Sequence, residues 1–508
     1  MSPDAPQPVR TPAGPDTAAL ANNVLAAVGM ADVIRTTLGP RGLDKLLVDQ
    51  LGNRVITNDG YTVLVSLKTS HPVSRLLVEI AERQELSVGD GTTSTVIMAA
   101  EMLREGYRVT SEYGIHPSKL LAELDEGVAV VSEFLHEACI PVPSLKDPLV
   151  GKVLRTATAS KLDGTQLSGL ILSAVNHLGS GDRDDLRHGI ILLRRPGDDL
   201  FIDGIAIEHL PQETGFVHEI GHPRICLVKD ALRFPLPGVE AGEEAAGKDP
   251  GREQRDAFLA RLLEKGVNVV VTNAPEIDHG LRIALAMKRV ALIRVSTEEL
   301  GLLSRSLDTP ELYGAQVLAG PAVPSLAAEG IELDEEKGLT VIRAPGSGVV
   351  ATLIIGGATA ETSKERTRTC IDGISGVHFA LKGGVVAGGG IAELNAARFL
   401  ERTALGKGGG RKAGFELVIK GLESVSRQIL ENAGYNGYEM MTRLRTQEDG
   451  IGIDLDTGEF IPMVENGILD PLITKLSGIQ IAAHIAKTVL KIDRNLVKDE
   501  VHREAGPS

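Results

Sequence analysis

One short segment, GDGTTS at residues 89–94, combines residue types that could bind a phosphate group. Glycines free the backbone amides of a turn to point at phosphate oxygens, and the first amides of the following helix-like run add positive potential for an anion. The same residue types are also typical of an Asp-Gly turn followed by a threonine helix cap. The carboxylate of Asp90 would repel a bare phosphate, so it fits a phosphate turn if a hard cation such as Mg²⁺ lies between the two. We therefore expect Asp90 as a metal ligand. The candidate phosphate-binding residues beside it are Gly91, Thr92, Thr93 and Ser94.

A second glycine-rich turn, TTLGPRG at residues 36–42, follows a helical pattern at residues 22–36. It is not a standard P-loop, because that motif has a lysine and then a serine or threonine after its last glycine. Here the last glycine is followed by a leucine and an aspartate. Two short β-like runs come next, at residues 45–48 and 54–57, and their connection is typical of a hairpin. The hairpin delivers Asp59 to the end of a strand, where its carboxylate can reach a ligand.

These segments together resemble the nucleotide-site motifs of the chaperonins. The resemblance covers residues 36–47, 55–64 and 89–95 in the order and spacing of that family. It continues in two later segments, VVAGGG at residues 385–390 and NGILDP at residues 466–471. A triple glycine alone is a flexible turn in most proteins, but several such pieces in one order form a specific pattern.

The resemblance implies that the ligand is ATP with Mg²⁺ and that the reaction is ATP hydrolysis. Asp372 lies upstream of the triple glycine at the separation that the family uses for its catalytic aspartate, and would orient or deprotonate the attacking water. Asp59 would help to place that water or the metal. Lys161 would sense the terminal phosphate, although a solvated lysine is the alternative interpretation. The implied nucleotide contacts outside the first turn are Thr37, Leu38, Gly39, Pro40, Gly60, Gly389 and Asp470.

The resemblance also implies a multi-domain chaperonin fold of mixed α+β class, in which motifs near both ends of the chain form one discontinuous domain. Residues 1–140 and 388–508 would form a mainly helical equatorial domain that holds the nucleotide. Residues 141–202 and 357–387 would form a small intermediate hinge domain. Residues 203–356 would form an α/β apical domain that faces the substrate.

The hydrophobic pattern of the central segment supports an α/β unit. Apolar runs at residues 267–271 and 290–295 are typical of buried strands, and residues 278–289 between them have a helical pattern. Another helix-like run, residues 257–265, places Phe258 and three leucines on one stripe. This stripe could be a surface for unfolded chains or a face of the core, and we favour the core because amphipathic stripes usually are buried.

The implied function is that of an ATP-driven chaperonin that binds unfolded polypeptides and assists their folding in a cavity built from stacked rings of subunits. Two other classes stay open. One is a ring-forming holding or assembly scaffold with little turnover, and the other is a metal-dependent phosphotransferase. Nothing in the sequence marks an acceptor site for a phosphotransferase, and the presence of Asp59, Asp90 and Asp372 favours turnover.

The motifs of this sequence resemble those of two different branches of the chaperonin family. Lys161 and its surroundings resemble the group II chaperonins, whereas residues 387–393 and 469–471 resemble the bacterial type, whose ring requires a separate lid protein. A divergent group II or a bacterial group III-like chaperonin accommodates both. Residues 236–256 are rich in Gly, Glu and Pro, and the run at residues 249–266 is too short for a full built-in lid. A separate lid protein is therefore a candidate partner.

Composition excludes several other classes. The chain has 508 residues with 68 acidic and 53 basic side chains, so its net charge of −15 disfavours a nucleic-acid partner. Its 3 cysteines are widely spaced and include no CxxC pair, which favours a reducing compartment over a disulfide framework. The proline-rich start lacks the apolar core of a signal peptide, and we find no apolar run typical of a membrane span. We therefore expect a cytoplasmic protein without a membrane partner.

Overall fold

A computed structural model describes residues 17–52, 54–178, 186–208, 219–230, 232–234, 250–320, 323–334, 336–343, 350–406, 412–492 and 494. The chain divides into two compact units, one formed by residues 1–168 and 368–508 and the other by residues 169–367. The first unit thus combines segments from both ends of the chain, which agrees with the predicted discontinuous fold. The finer division into three domains remains a prediction.

The described residues form sixteen α-helices and eighteen β-strands. The helices are α1 (Thr17–Ile34), α2 (Gly60–Ser66), α3 (Pro72–Val88), α4 (Thr92–Tyr113), α5 (Pro117–Glu137), α6 (Pro148–Thr158), α7 (Gly164–His177), α8 (Pro250–Glu264), α9 (His279–Met287), α10 (Thr297–Ser306), α11 (Gly314–Ala319), α12 (Ala360–Gly383), α13 (Ile391–Gly406), α14 (Ala413–Asn432), α15 (Gly437–Leu444) and α16 (Leu472–Leu490). The strands are β1 (Lys45–Val48), β2 (Arg54–Thr57), β3 (Ile190–Arg194), β4 (Leu200–Asp203), β5 (Ile205–Ile207), β6 (Glu219–Gly221), β7 (Arg224–Lys229), β8 (Val269–Thr272), β9 (Ala291–Arg294), β10 (Leu312–Tyr313), β11 (Leu326–Ala327), β12 (Gly330–Asp334), β13 (Leu339–Arg343), β14 (Ala351–Ile355), β15 (Val385–Ala387), β16 (Ile451–Ile453), β17 (Phe460–Pro462) and β18 (Leu469–Pro471).

The first unit is mainly helical, and α4 lies at the centre of its core. Helices α1, α14 and α16 all pack against α4. Small residues let these helices approach closely: a Cβ added at Gly421 of α14 would lie 2.7 Å from the side chain of Met102, and one added at Gly106 of α4 would lie 2.6 Å from Leu490. Close packing of this kind fixes the position of α4, whose amino end follows the first predicted turn.

Among the described residues, one helical segment, Ala18–Thr37, is long and apolar enough by composition to cross a membrane, and 39% of its apolar stretch is buried. The inward residues Leu20, Ala27 and Ile34 of this segment belong to the core of the first unit. The segment therefore packs here as a core helix.

Two strand pairs of the first unit position predicted site residues. The hairpin predicted at residues 45–57 is confirmed, because β1 and β2 pair antiparallel with Lys45 opposite Thr57. Strands β15 and β18 also pair antiparallel, with Val386 opposite Asp470. The second pair brings the triple glycine and Asp470 together, although they lie far apart in the sequence.

The second unit contains the predicted α/β region. Strands β10, β7, β8 and β9 form a parallel sheet in that order, and β11 pairs antiparallel with β7. The expected strand–helix–strand pattern is confirmed as β8, α9 and β9. Antiparallel β5, β13, β12 and β6 form a second sheet, and β3, β14 and β4 form a third.

The apolar stripe of α8 faces the core of the second unit. Phe258 and Leu262 are 0% exposed and Leu259 is 7% exposed, while Leu263 at the edge of the stripe is 38% exposed. The interpretation of this stripe as a core face is therefore confirmed. Most of the segment considered for a built-in lid, residues 236–249, lies outside the described residues.

Candidate functional site

The first predicted turn connects α3 to α4. Gly89 and Gly91 adopt left-handed backbone conformations, with φ of 72° and 78°, and α4 begins directly after them at Thr92. The Asp90 carboxylate accepts a hydrogen bond from the Gly91 amide at 2.6 Å, and the Gln84 side chain donates to the Asp90 carbonyl at 2.9 Å. These bonds fix a turn of the kind that presents backbone amides and a helix amino terminus to an anion.

The second turn follows α1 and a short 3₁₀ segment, Arg35–Thr37. The Gly42 amide donates to the Gly39 carbonyl at 2.9 Å, and a Cβ added at Gly42 would lie only 2.1 Å from the Thr37 carbonyl oxygen. The Asn432 side chain of α14 donates to the Leu38 carbonyl at 2.8 Å. The turn is therefore closed by its own backbone and held to α14.

Both turns border a cavity of about 470 Å³ in the first unit. Eight predicted site residues line it: Leu38, Gly39, Pro40, Asp90, Gly91, Ser94, Gly389 and Asp470. Seven others are not among its lining residues: Thr37, Asp59, Gly60, Thr92, Thr93, Lys161 and Asp372. The structure thus brings the glycines of both turns, the triple glycine and two carboxylates around one cavity.

Several predicted residues outside the cavity wall support the turns. The hydroxyl of Thr37, a buried residue, donates to the Ile34 carbonyl at 2.8 Å. A Cβ added at Gly60 would lie 2.2 Å from the Thr93 hydroxyl, so α2 approaches α4 closely at this point. The Thr92 hydroxyl donates to Glu85 at 3.1 Å. In this structure the hydroxyls of Thr37 and Thr92 therefore form hydrogen bonds with other groups of the protein.

Asp59 caps the amino end of α2. Its carboxylate accepts hydrogen bonds from the Thr62 amide at 3.0 Å and the Thr62 hydroxyl at 2.5 Å. Burial raises the pKa of Asp59, but the charge of Lys161 and the bonds from Thr62 outweigh burial and leave the pKa below its ordinary value. Asp59 is therefore ionised at neutral pH.

Asp372 and Lys161 form an ion pair, with 3.0 Å between the lysine Nζ and a carboxylate oxygen. Their side chains are only 9% and 14% exposed, so Lys161 is not a solvated lysine. Burial lowers the pKa of Lys161, but the charges of Asp372, Asp59 and Asp90 outweigh it and raise that pKa. Burial holds the pKa of Asp372 well above its ordinary value, with Lys161 opposing this effect.

The acidic residues near the first turn form a group that would favour a bound cation. Burial raises the pKa of Asp90, and the charge of Lys161 and the hydrogen bond from the Gly91 amide partly offset this rise. Burial and the charge of Asp59 raise the pKa of Glu85 to about 7. Within the described residues, no three His, Cys, Asp or Glu side chains converge on one metal position. A site with few protein ligands, such as one at Asp90, fits Mg²⁺, because proteins usually bind this ion through one or two carboxylates together with phosphate oxygens and water.

Charged residues that the sequence analysis missed also line the cavity. The Lys475 Nζ lies 2.7 Å from a carboxylate oxygen of Asp470 and 2.7 Å from one of Glu393. Arg155, in the last turn of α6, lines the cavity as well. No local pattern marks these residues, because α6, α13 and α16 come from distant parts of the chain.

Three comparisons with known proteins cover nearly the whole chain. A model of the TCP-1/cpn60 chaperonin family matches residues 30–500. The chain is 30% identical to a thermosome alpha subunit from Methanothermobacter thermautotrophicus, over 93% of this chain and 90% of that protein. It is 30% identical to a thermosome subunit from Methanopyrus kandleri, over 95% and 92% of the two chains. A crystal structure of a group III chaperonin in the open state is similar with a TM-score of 0.78 at 26% identity, and the alignment covers 94% of this chain and 99% of that one.

Proposed function

This chain belongs to the TCP-1/cpn60 chaperonin family and is an ATP-dependent chaperonin, and from that premise we propose that it hydrolyses Mg²⁺-bound ATP in the cavity between its two glycine-rich turns. One observation carries the proposal. The charge of Asp90 acts on Lys161, which forms a buried ion pair with Asp372. Asp90 also lines the cavity beside the amino end of α4.

The chain's own residues have distinct roles in this proposal. The amides of the turn at Gly91 and the start of α4 bind phosphate oxygens, and Ser94 adds a hydroxyl. Gly39 and Gly389 let the backbone approach the nucleotide, since both adopt left-handed conformations with φ of 84° and 65°. Asp470, held by Lys475, binds the sugar or the base.

Asp372 acts as the base that orients the attacking water and accepts its proton. The ion pair with Lys161 favours the ionised carboxylate that this role needs, against the opposing effect of burial. Asp59 remains ionised and helps to place the water. Asp90 is the residue that would hold Mg²⁺, and the ion would supply charge neutralisation for the phosphates.

The partners follow from the family. We propose that copies of this chain assemble into stacked rings and that the enclosed cavity receives unfolded or partly folded polypeptides. We place the protein in the cytoplasm, in line with the three free thiols, Cys139, Cys226 and Cys370. A separate lid protein is a candidate partner that would close this cavity.

A substitution at Asp372 tests the proposed chemistry. Asp372→Asn keeps the shape of the side chain but removes the base, so phosphate release should fall by about 10²-fold or more, while ATP still binds. The measurement combines phosphate release with titration of ATP, and Asp125→Asn on the surface of α5 is the matched control. An unchanged rate in the Asp372 variant would refute the assignment and favour a scaffold without turnover at this carboxylate.

A further inference from the structure

The charged residues around the cavity are unevenly paired. Among the described residues, five carboxylates line the cavity, those of Asp90, Glu393, Asp454, Asp456 and Asp470. Three cations also line it, namely Arg41, Arg155 and Lys475. The wall therefore carries more negative than positive side chains, although its proposed ligand is a polyanion.

Two of these cations are already neutralised by the protein. Arg41 forms an ion pair with Asp456, and both residues line the cavity. Lys475 lies between Asp470 and Glu393, at 2.7 Å from each. Neither cation offers an uncompensated charge to a ligand.

Arg155 differs from the other two cations. Its side chain makes no hydrogen bond or ion pair with any residue that the structure describes, and it is exposed at the cavity. Ala159, four positions further on at the carboxyl end of α6, also lines the cavity, as expected for residues on one helical face. The helix thus directs an unpaired guanidinium towards the cavity.

The helix that carries Arg155 is fastened to the cavity wall. The hydroxyl of Thr156, the next residue, lies 3.4 Å from the Gly467 carbonyl and accepts from the Leu469 amide at 3.2 Å. Leu469 directly precedes Asp470 in β18. The position of Arg155 is therefore fixed relative to a predicted nucleotide-binding residue.

We propose that Arg155 binds the phosphate chain of the nucleotide, as the lining cation that no described carboxylate of the protein neutralises. This inference rests on the proposal that the cavity holds ATP. A guanidinium with five N–H donors and no protein acceptor is suited to phosphate oxygens, and its hydrogen bonds to them are charge-assisted. Arg155 would be a binding residue. It would affect the affinity for ATP and leave the action of the base, Asp372, unchanged.

A charge series at one position tests the proposal. We would measure ATP affinity by calorimetric titration with Mg²⁺ for the full-length wild type, Arg155→Lys, Arg155→Gln and Arg155→Glu, each at low and high salt. The lysine variant should bind close to wild type, the glutamine variant about tenfold more weakly, and the glutamate variant more weakly still. High salt should reduce the differences in ATP affinity among these variants, since the side chain at position 155 is exposed to solvent. Lys119→Gln on α5 removes a remote surface charge and should leave binding unchanged.

Each other result has a definite meaning. Equal affinity in all variants would overturn the role of Arg155, as would a glutamate variant that binds no more weakly than the glutamine variant, since the charge at this position would then not matter. A wild type that binds no ATP would overturn the proposed function and this inference together. Unchanged circular dichroism of each variant shows that a lost affinity does not reflect unfolding.

Discussion

At the scale of single residues, the molecule gathers acidic side chains from distant segments around few cations. Burial makes an unpaired carboxylate charge unfavourable, so the ionisation of each of these carboxylates depends on the charges around it. The group consists of Asp59, Glu85, Asp90 and Asp372 with the cations Lys161 and Arg368. Its excess negative charge is what a site for a divalent cation requires.

Replacing Lys161 by methionine should impair the base as well as phosphate binding. Without the lysine, burial and the neighbouring Asp90 would raise the pKa of Asp372 further. A base must be ionised to act, so the acid limb of the pH–rate profile should move to higher pH, and phosphate release at neutral pH should fall by about 10²-fold. Phosphate release measured across pH checks this. An acid limb at the wild-type position in K161M would contradict it.

Glu85 should make the protein without nucleotide and Mg²⁺ less stable as the pH rises. Burial and Asp59 raise the pKa of Glu85 to about 7, above the ordinary value of 4.5. Between these values the folded state binds a proton that the unfolded chain releases, so the contribution to stability is present at the lower pH and lost towards pH 7. Melting temperatures across this interval should therefore fall more steeply for the wild type than for Glu85→Gln. Parallel curves would show that Glu85 titrates normally.

At the scale of elements, α2 depends on Asp59 in a way that can be separated from catalysis. The carboxylate accepts from the Thr62 amide at 3.0 Å, so Asp59→Ala should destabilise the start of the helix by about 1 kcal/mol. Asp59→Ser keeps an acceptor for the cap but removes the charge. Hydrogen exchange at the amides of α2 should be fast in the alanine variant and near wild type in the serine variant, while both lose phosphate release. Full activity in the serine variant would limit Asp59 to capping.

Local sequence patterns predicted many elements because they depend on neighbouring residues. The hairpin β1–β2 follows from its β-like runs and the turn between them. The helix-like run expected after the first glycine-rich turn is α4, Thr92–Tyr113. It ends at Gly114, which adopts a left-handed conformation. The glycines on either side of Asp90 mark where α3 stops.

The charged surroundings of the site could not be predicted in the same way. Lys475 and Glu393 are 82 residues apart, and only the packing of α16 near α13 lets them meet. Arg155 has no local motif, and its position depends on the contact between α6 and β18. The resemblance to the family supplied Lys161 and Asp372, which single-sequence patterns would not have paired.

At the scale of the whole molecule, the first unit explains why both ends of the chain are needed for one site. The two glycine-rich turns come from residues 36–42 and 89–94, whereas the triple glycine and Asp470 come from the second half. A fragment that lacks either end would lack part of the cavity wall. ATP binding and assembly are therefore properties to measure on the full chain.

The central claim, an ATP-driven ring chaperonin, is tested most directly by the solution mass of the full-length protein. Light scattering with and without Mg²⁺ and ATP would give that mass, and phosphate release would be followed in the same sample. We predict a particle of many subunits that hydrolyses ATP. A monomer or dimer that hydrolyses ATP would contradict ring assembly and favour a phosphotransferase, and a large particle without hydrolysis would contradict an ATP-driven mechanism.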